Sequence, residues 1–563
     1  MNSIFEKIRS QIETAIKNAV SAAVTKGKLP DIELPAIMIE KPREEAHGDF
    51  STNIAMQMAR QARKAPVQIA HIILEEIDYR DTYIVRAESA GPGFINFFLN
   101  NDWLYEALIL IDKKKEQYGE VDIGRGEKVM VEFVSANPTG PLHMGNARGG
   151  ALGDCIAGVL QKSGYTVTRE FYINDAGNQI EKFGISLEAR YLQQIHGENN
   201  IPFPEDGYHG EDIIDHVKDY IKQYGEKLVS VSSDERRKVL VEYALPKNLK
   251  CIKDGLSRYG IEYDVWFRES SLYDGEIDET IEILKQRGYI IEKDGAVWLN
   301  GEKAGLEKDE VLIRQNGYPT YMAADIAYHR NKFLKRGFSR VINLWGADHH
   351  GHVNRMKAAM EAIGIPGEKL QIVLFQLVRL YRGGEIERMS KRTGRAISLD
   401  DLLDDVGVDA ARFFFNMKTA GSHLDFDLDL AIEQSNNNPV FYVQYAHARI
   451  CSILRKLTEE GVTRKAIEDI KINLLTQPEE LALMKRLAEL PEEVAASAET
   501  LEPSRLTRYV IDVASDFHSF YNACRVKCED EDLLQARLLL VDSTRIVIKN
   551  VLGIIGINAP EKM

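Results

Sequence analysis

Val129-Met130-Val131-Glu132-Phe133-Val134-Ser135-Ala136-Asn137-Pro138-Thr139-Gly140-Pro141-Leu142-His143-Met144-Gly145-Asn146 is the stretch that decides the fold of this chain. Val129 to Val134 is a continuous apolar-rich run with one acid in it, Glu132, as a strand buried on both faces would be. Asn137 to Pro141 reads as a loop. Beyond it Leu152, Ile156, Val159 and Leu160 share one helical stripe that stops at Gly164, an amphipathic helix with a glycine C-cap. Tyr165 to Ile173 is strand-like again. Strand, helix and strand at this spacing imply a parallel pair joined by a right-handed crossover.

Working outward, residues 185–290 are helix-rich and more charged, with a loop at Pro202-Phe203-Pro204-Glu205-Asp206-Gly207. They read as an insertion between two halves of a nucleotide-binding sheet. The α/β pattern returns at Val311 to Arg314, Val341 to Gly346 and Gln371 to Leu380. Residues 1–118 form a separate α+β unit: two helical patterns, then Gly48-Asp49-Phe50-Ser51-Thr52-Asn53 opening a helix at Ile54 to Arg63. A turn at Ala90-Gly91-Pro92-Gly93 precedes a strand at Phe94 to Leu99. After Asp400 the chain reads as helical to Gly553, in segments 401–420, 431–457, 478–499, 504–528 and 531–551. The expected architecture is multidomain α/β: an α+β N-terminal domain (1–118), a Rossmann-type domain with a helical insertion (119–400), and an all-α C-terminal part (401–563).

The bulk numbers set limits. A single core rarely grows past about 250–300 residues, so 563 residues need several domains. No apolar run reaches the roughly 20 residues that span a bilayer, so no membrane association is expected. Met1 to Val20 mixes Glu6, Lys7, Arg9, Glu13 and Lys17 with apolar positions at helical spacing. That is an amphipathic helix rather than a signal peptide, and it places the protein in the cytosol. The five cysteines are scattered with no C-x-x-C pair, which argues for a reducing compartment and against a zinc knuckle; Cys524 and Cys528 read as semi-buried thiols of one helix. A net charge of −15 confines any nucleic-acid contact to local basic patches, and such binding should weaken as salt rises.

The chemistry concentrates in a few places. A strand that turns into a helix through a Gly/Pro loop aims backbone N–H groups and a positive helix terminus at its ligand, so phosphate is the natural one. An imidazole there, His143, would hydrogen-bond a phosphoryl oxygen as charge builds. Arg388-Met389-Ser390-Lys391-Arg392-Thr393-Gly394-Arg395 carries four basic residues and no acid, as a loop closing over a triphosphate would. Glu132, inside an apolar strand, needs a partner. Tyr321 and Asp325 stand four apart on one helical face; Asp325 is either part of a carboxylate pair matched to a guanidinium or an ordinary exposed helix acid. Asp348-His349-His350-Gly351-His352 is awkward for a tetrahedral metal because adjacent side chains diverge; it reads as a substrate-facing loop, and no structural metal is expected. Phe441, Tyr445 and Arg449 share a helix face suited either to stacking on RNA or, for the two aromatics, to core packing.

With these residues in view, the chain resembles the bacterial-type arginyl-tRNA synthetases, class I aminoacyl-tRNA synthetases, over nearly its whole length. Glu132 to Asn146, with Ala136-Asn137-Pro138-Thr139-Gly140-Pro141-Leu142-His143-Met144-Gly145-Asn146 at its centre, is similar to the first class I signature, and Met389-Ser390-Lys391 to the second. Gly48 to Asn53 and Gly91-Pro92-Gly93-Phe94-Ile95-Asn96 resemble the additional N-terminal domain, which touches the tRNA elbow. Tyr172 to Gln179, Thr320 to His329 and Gly346 to His352 resemble later family blocks, and the helices after about 440 resemble the anticodon-binding domain. The resemblance implies ligation of arginine to tRNA(Arg) by way of arginyl-adenylate, with ATP, and with Mg2+ on the nucleotide. It implies an arginine site of Glu132, Ser135, Asn137, Tyr321, Asp325 and His349. It implies ATP contacts from His143, Gly145, Asn146, Met389, Ser390 and Lys391, with His143 and Lys391 catalytic, and a monomer that touches tRNA through Phe441, Tyr445 and Arg449. Two positions depart from the class I motifs: Asn146 stands for the second histidine and Arg388 for the first lysine, each keeping hydrogen bonding or charge. The rival readings are a class I ligase of other specificity, a nucleotidylyltransferase of the same fold, and a non-catalytic RNA-binding relative, which would be expected to lack His143 or the basic loop.

Overall fold

The computed structural model describes residues 3–42, 44–387 and 397–563. At its centre lies a five-stranded parallel sheet built from β1 (Lys128–Glu132), β2 (Thr166–Ile173), β3 (Val265–Arg268), β4 (Arg340–Gly346) and β5 (Leu370–Phe375), in the order β5-β4-β1-β2-β3. Strand β1 shows why its residues choose this structure. Val129 and Val131 pack into one apolar cluster and Met130 into another, so successive side chains fill the two faces of a sheet covered on both sides. Helix α1 (Met144–Lys162) returns the chain from β1 to β2. It lies tight against the sheet: a Cβ on Gly153 would sit 2.2 Å from the ring of Phe133.

Between β2 and β3 run α2 (Gly177–His196), α3 (Glu211–Tyr224) and α4 (Ser233–Arg258), a helical lobe with its own core of Phe183, Leu187, Tyr191, Ile213 and Val217. The insertion is therefore narrower than 185–290. Val265-Trp266-Phe267-Arg268 has already rejoined the sheet as its edge, four residues too short to stand out in a charged stretch. The strand Glu310–Ile313 belongs elsewhere, in an antiparallel sheet with Ala296–Leu299 and Ile290–Lys293. Residues 371–380 are two strands rather than one, because Val378–Arg382 leaves the parallel sheet to pair with Glu385–Glu387 and Leu424–Asp427. Helix α5 (Tyr321–Arg330) is capped by Thr320, whose hydroxyl accepts from Ala323 N–H at 3.4 Å, and α6 (His350–Ile363) follows β4.

The N-terminal unit holds a four-stranded antiparallel sheet, in which Phe50–Thr52 and Phe94–Leu99 pair, backed by helices. Among the described residues a single α-helix, Ile4–Thr25, precedes Gly48, where two helical patterns were expected. Gly48 takes φ +84° and a Cβ there would sit 2.6 Å from the carbonyl oxygen of Phe97, so no side chain fits. The region after Asp400 is mainly, not wholly, helical. Gly407, at φ +77°, splits 401–420 into Leu399–Val406 and Val408–Asn416; the strand Leu424–Asp427 follows; and 478–499 breaks after Ala488, with Leu490–Thr500 carrying Pro491 in its first turn. Arg412, fully buried, fastens this part to the sheet domain. It is paired with Asp154 of α1 and donates to the carbonyls of Ile555 and Tyr259 at 3.1 and 3.2 Å.

Replacing Gly153 by Ala tests the close contact of α1 with β1. Overpacking against Phe133 should cost about 1–3 kcal/mol, more than the gain in helix propensity of about 1 kcal/mol. The expected result is a lower thermal midpoint; an unchanged or higher one would mean that the helix can move away freely.

Candidate active site

Strand order reverses between β1 and β4, and in such sheets ligands enter outside the carboxyl ends of the strands at that reversal. Four strand ends supply the site: Glu132 closes β1, Asn174 and Asp175 follow β2, Glu269 follows β3, and the residues up to His352 follow β4.

One half is a helix terminus. Leaving β1, Val134 and Ser135 adopt φ of +66° and +40°, a left-handed turn that costs a β-branched residue and is held by its surroundings. The turn aims the Ser135 hydroxyl back, to donate to Glu132 Oε1 at 3.0 Å while accepting from Tyr172 N–H at 3.1 Å. His143 then caps α1. Its Nδ1 accepts from Gly145 N–H at 3.2 Å, and its own N–H donates to Asn146 Oδ1 at 3.0 Å, a reciprocal capping box. An imidazole that accepts at Nδ1 carries its proton at Nε2, and burial holds its pKa below the usual value. His143 is thus a neutral N–H donor at a positive helix end. A Cβ on Gly145 would sit 3.1 Å from the ring, so a side chain there would press on the imidazole. Asn146, expected to touch nucleotide, uses its side-chain oxygen as the cap. Ser398 bridges to His143, and Leu399 N–H donates to the Leu142 carbonyl at 2.9 Å. Arg388, Met389, Ser390 and Lys391 lie outside the described residues, but the chain resumes beside His143.

The other half is acidic. Glu132 meets Lys332 Nζ at 2.5 Å, and that lysine, fully buried, also donates to Asn343 Oδ1 at 3.3 Å and lies 3.9 Å from the centre of the Tyr328 ring. Lys332 comes from a π-turn, Asn331–Lys335, that continues α5. The Asn343 amide donates to His329 Nε2 at 2.8 Å, so His329 carries its proton on Nδ1 and donates to the Asp325 carbonyl at 2.8 Å. Burial and Lys332 hold His329 well below the usual histidine pKa. One chain of contacts therefore links Asp325, on α5, to Glu132 and Ser135 on β1.

Two carboxylates, Asp325 on α5 and Glu269 after β3, are close enough for the charge of one to act on the other. Asp325 Oδ2 meets His352 Nε2 at 3.0 Å. Glu269 is 1% exposed and among the described residues makes no ion pair; its partners are neutral, Tyr273 Oη at 3.3 Å and the Asn174 amide, turned to donate at 2.8 Å. Burial first, then the charge of Asp325, pushes the Glu269 carboxyl up to about 7. Asp175 braces this strand end, its carboxylate accepting from Ser270 N–H at 2.9 Å and from Arg268 at 3.0 Å. Tyr321 stands at the rim, 43% exposed, its pKa raised by burial and then by Glu269. The Asn137 amide lies 3.3 Å from that of Asn174. His349 points elsewhere: it lies 3.5 Å from the exposed Asp348, and His352 is the histidine on Asp325. Asp325 is thus no ordinary surface acid. Sequence reasoning missed Glu269, Lys332 and His352; only His352 left a signal, as one of three histidines in five residues.

A third cluster lies on the helix Pro439–Glu459. The Phe441 and Tyr445 rings stack with centroids 6.1 Å apart, Tyr445 is 37% exposed, and Arg449 lies 4.2 Å from the ring centre of Tyr521 and 6.0 Å from that of Tyr445. His518, beside Tyr442 and Tyr445, extends the face from a second helix.

Three family models match the chain in sequence order: an arginyl tRNA synthetase N-terminal domain over residues 7–99, the catalytic domain of class I (R) tRNA synthetases over 107–432, and a DALR anticodon binding domain over 443–563. Among curated proteins the chain is 66% identical to an arginine–tRNA ligase of Acetivibrio thermocellus and 64% to one of Ruminiclostridium cellulolyticum, each alignment covering 100% of both chains. Among solved structures it is similar in fold to the arginyl-tRNA synthetase of Thermus thermophilus, with a TM-score of 0.73 at 24% identity, covering 98% of this chain and 100% of the other.

A guanidinium needs Glu269 ionised, and the free carboxyl holds its proton until about pH 7. Arginine affinity should therefore rise about tenfold from pH 6 to pH 8 as that proton becomes easier to lose. In Glu269→Gln the slope should flatten at weaker affinity. Calorimetric titration across that range checks it; an unchanged slope in the variant would remove Glu269 from the site.

Proposed function

The chain belongs to the arginyl-tRNA synthetase family of class I tRNA ligases, and on that premise we propose how its own residues divide the reaction. The protein is an arginine–tRNA ligase: ATP and arginine are its small substrates and tRNA(Arg) is the acceptor. The finding that carries the assignment is the full-length identity of 66% and 64% to arginine–tRNA ligases. What the site adds is Glu269, a buried carboxyl with no ion pair among the described residues, raised by burial and by the charge of Asp325. A guanidinium matches carboxylates with a planar fork of donors. Asp325, Glu269 and Tyr321 take the guanidinium end of arginine. Glu132, Ser135 and Asn137 form the wall towards its amino group, with Lys332 fixing the Glu132 carboxylate in place.

The arginine carboxylate attacks the α-phosphate, the bond to the leaving pyrophosphate breaks, and arginyl-adenylate forms. His143 donates its Nε2–H to a phosphoryl oxygen, aided by the partial positive charge of the α1 terminus and by Gly145, which lets the backbone approach. Lys391, with Met389 and Ser390, closes over the β- and γ-phosphates; its support is the basic sequence and the return of the chain beside His143 at Ser398. Asn146 serves by holding His143 as well as by any direct contact. Mg2+ would travel on the triphosphate, screening its charge. The 2′-OH of the terminal tRNA adenosine then attacks the mixed anhydride and AMP leaves. No covalent enzyme intermediate is needed, so positioning and charge stabilisation do the work.

Phe441, Tyr445 and Arg449, with His518 and Tyr521 beside them, offer stacking faces and a cation to tRNA. Domains 1–118, 119–400 and 401–563 remain our division of labour, with the strand Leu424–Asp427 tying the start of the third to the second. We place the enzyme in the cytoplasm as a monomer. Among the described residues no helix is long and apolar enough to cross a membrane.

Separate kinetics for each substrate test the division. Asp325→Ala should raise the KM for arginine about 100-fold or more, because it leaves buried partners unmatched, while the KM for ATP stays near wild type. His143→Ala and Lys391→Ala should each lower kcat about 100-fold with arginine binding kept. If Asp325→Ala keeps its arginine KM, or the other two keep wild-type turnover, the roles are wrong.

A further inference from the structure

The helical lobe of α2, α3 and α4 contributes no residue to the reaction as assigned above, yet it reaches the signature loop. Asn248, on α4 and 4% exposed, donates its side-chain amide to the carbonyl oxygen of Pro138 at 3.0 Å. A carbonyl can only accept, so this contact fixes the Asn248 amide: its nitrogen faces Pro138 and its oxygen faces away. There it meets His216 Nε2, from α3, at 2.6 Å. The Asn248 oxygen must accept from it, so His216 carries its proton on Nε2. The arrangement has one consistent set of donors and acceptors.

The loop needs such a partner. Pro138 and Pro141 have no N–H, and among the described residues the bond from Asn248 is the hydrogen bond received by the backbone of 138–141. The same lobe closes on the next residues. Asp212, one turn before His216 on α3, has a shielded Oδ2 without a hydrogen-bond partner, 3.8 Å from where a Cβ of Gly140 would be. Pro246, inside α4, leaves the Glu242 carbonyl without its helical donor and loosens the helix two residues before Asn248.

We propose that Asn248, oriented by His216, is a positioning residue for ATP: the helical lobe holds the loop from Asn137 to Leu142 at the height that brings His143 and the α1 terminus onto the phosphates. The lobe is then part of the nucleotide scaffold. This rests on the assignment of His143 to ATP made above.

ATP–pyrophosphate exchange, run with arginine and tRNA(Arg) on the full-length enzyme, tests it. Asn248→Ala and the isosteric Asn248→Asp, which replaces the donor by a repelling oxygen, should each lower kcat/KM for ATP about tenfold, since small misplacements of reacting groups cost at least that. The KM for arginine should stay within about twofold and the thermal midpoint within about 2 °C. His216→Ala should share the loss. His216→Gln, whose amide nitrogen falls near the position of Nε2, should restore the exchange. Unchanged ATP kinetics in Asn248→Ala would overturn the proposal. So would a parallel rise in both KM values with a falling midpoint, which is general loosening. If Asn248→Ala fails to fold, the contrast between His216→Ala and His216→Gln decides, and equal activity in those two overturns the proposal. His143→Ala is the control for the premise: if it leaves ATP kinetics intact the assignment to ATP fails, and if it impairs them while the Asn248 variants do not, only the positioning role fails.

Discussion

The buried pair of Glu132 and Lys332 is the interaction on which the rest of the site depends. Glu132 ends the central strand and Lys332 lies in the π-turn that continues α5, the helix of Tyr321 and Asp325, so their contact locks the helix proposed to bind arginine to the strand that launches the signature loop. A buried ion pair is a poor source of net stability, because desolvation offsets much of its attraction. Its value here is registry. Through Asn343 and His329 the lysine also fixes the backbone at Asp325, and through Ser135 the glutamate fixes the strained turn at Val134. Breaking one partner would leave a buried charge and release both halves of the crevice together.

Charge explains how an acidic chain handles two polyanions and one cation. Most acids here are matched locally: Glu170 with Arg336, Asp154 with Arg412 and Arg169, Asp175 with Arg268. What departs from balance is informative. At Glu269 a buried carboxyl has no ion pair among the described residues, and it is this unmatched acid that the proposed site offers to a guanidinium. At His143 itself the donors are a helix terminus and an imidazole whose pKa is held below the usual value, partial charges rather than a full one. Specificity for arginine therefore needs no steric gate. A neutral analogue of the same shape would leave Glu269 protonated, with no cation to ionise it.

Much of this was legible in the sequence, and the missing parts share a cause. The strand, loop and helix from Val129 to Gly164 were readable because local periodicity and capping chemistry set them, and Tyr321 with Asp325 because a helix makes four-residue neighbours. Lys332 was not, since it meets Glu132 across 200 residues. Glu269 sits in Arg-Glu-Ser-Ser, which reads as a solvated turn until β3 places it at the end of the sheet. His349 came only from the family resemblance, and which of the three histidines in five residues turns to Asp325 depends on α6 beginning at His350. The division of residues among sheets failed for a related reason: short strands such as Val265–Arg268 and Glu310–Ile313 carry no mark of which partner they will take.

The measurement that bears most directly on the carboxylate pair is the proton count on arginine binding, from calorimetry at pH 7 in buffers of different ionisation enthalpy. A carboxyl with a pKa near 7 is about half protonated there. Arginine should release about half a proton per site as Glu269 ionises against the guanidinium. Glu269→Gln should release almost none, and citrulline should bind weakly without release. Arginine binding with no proton release, or citrulline bound as tightly as arginine, would contradict a site built on the unmatched acid Glu269.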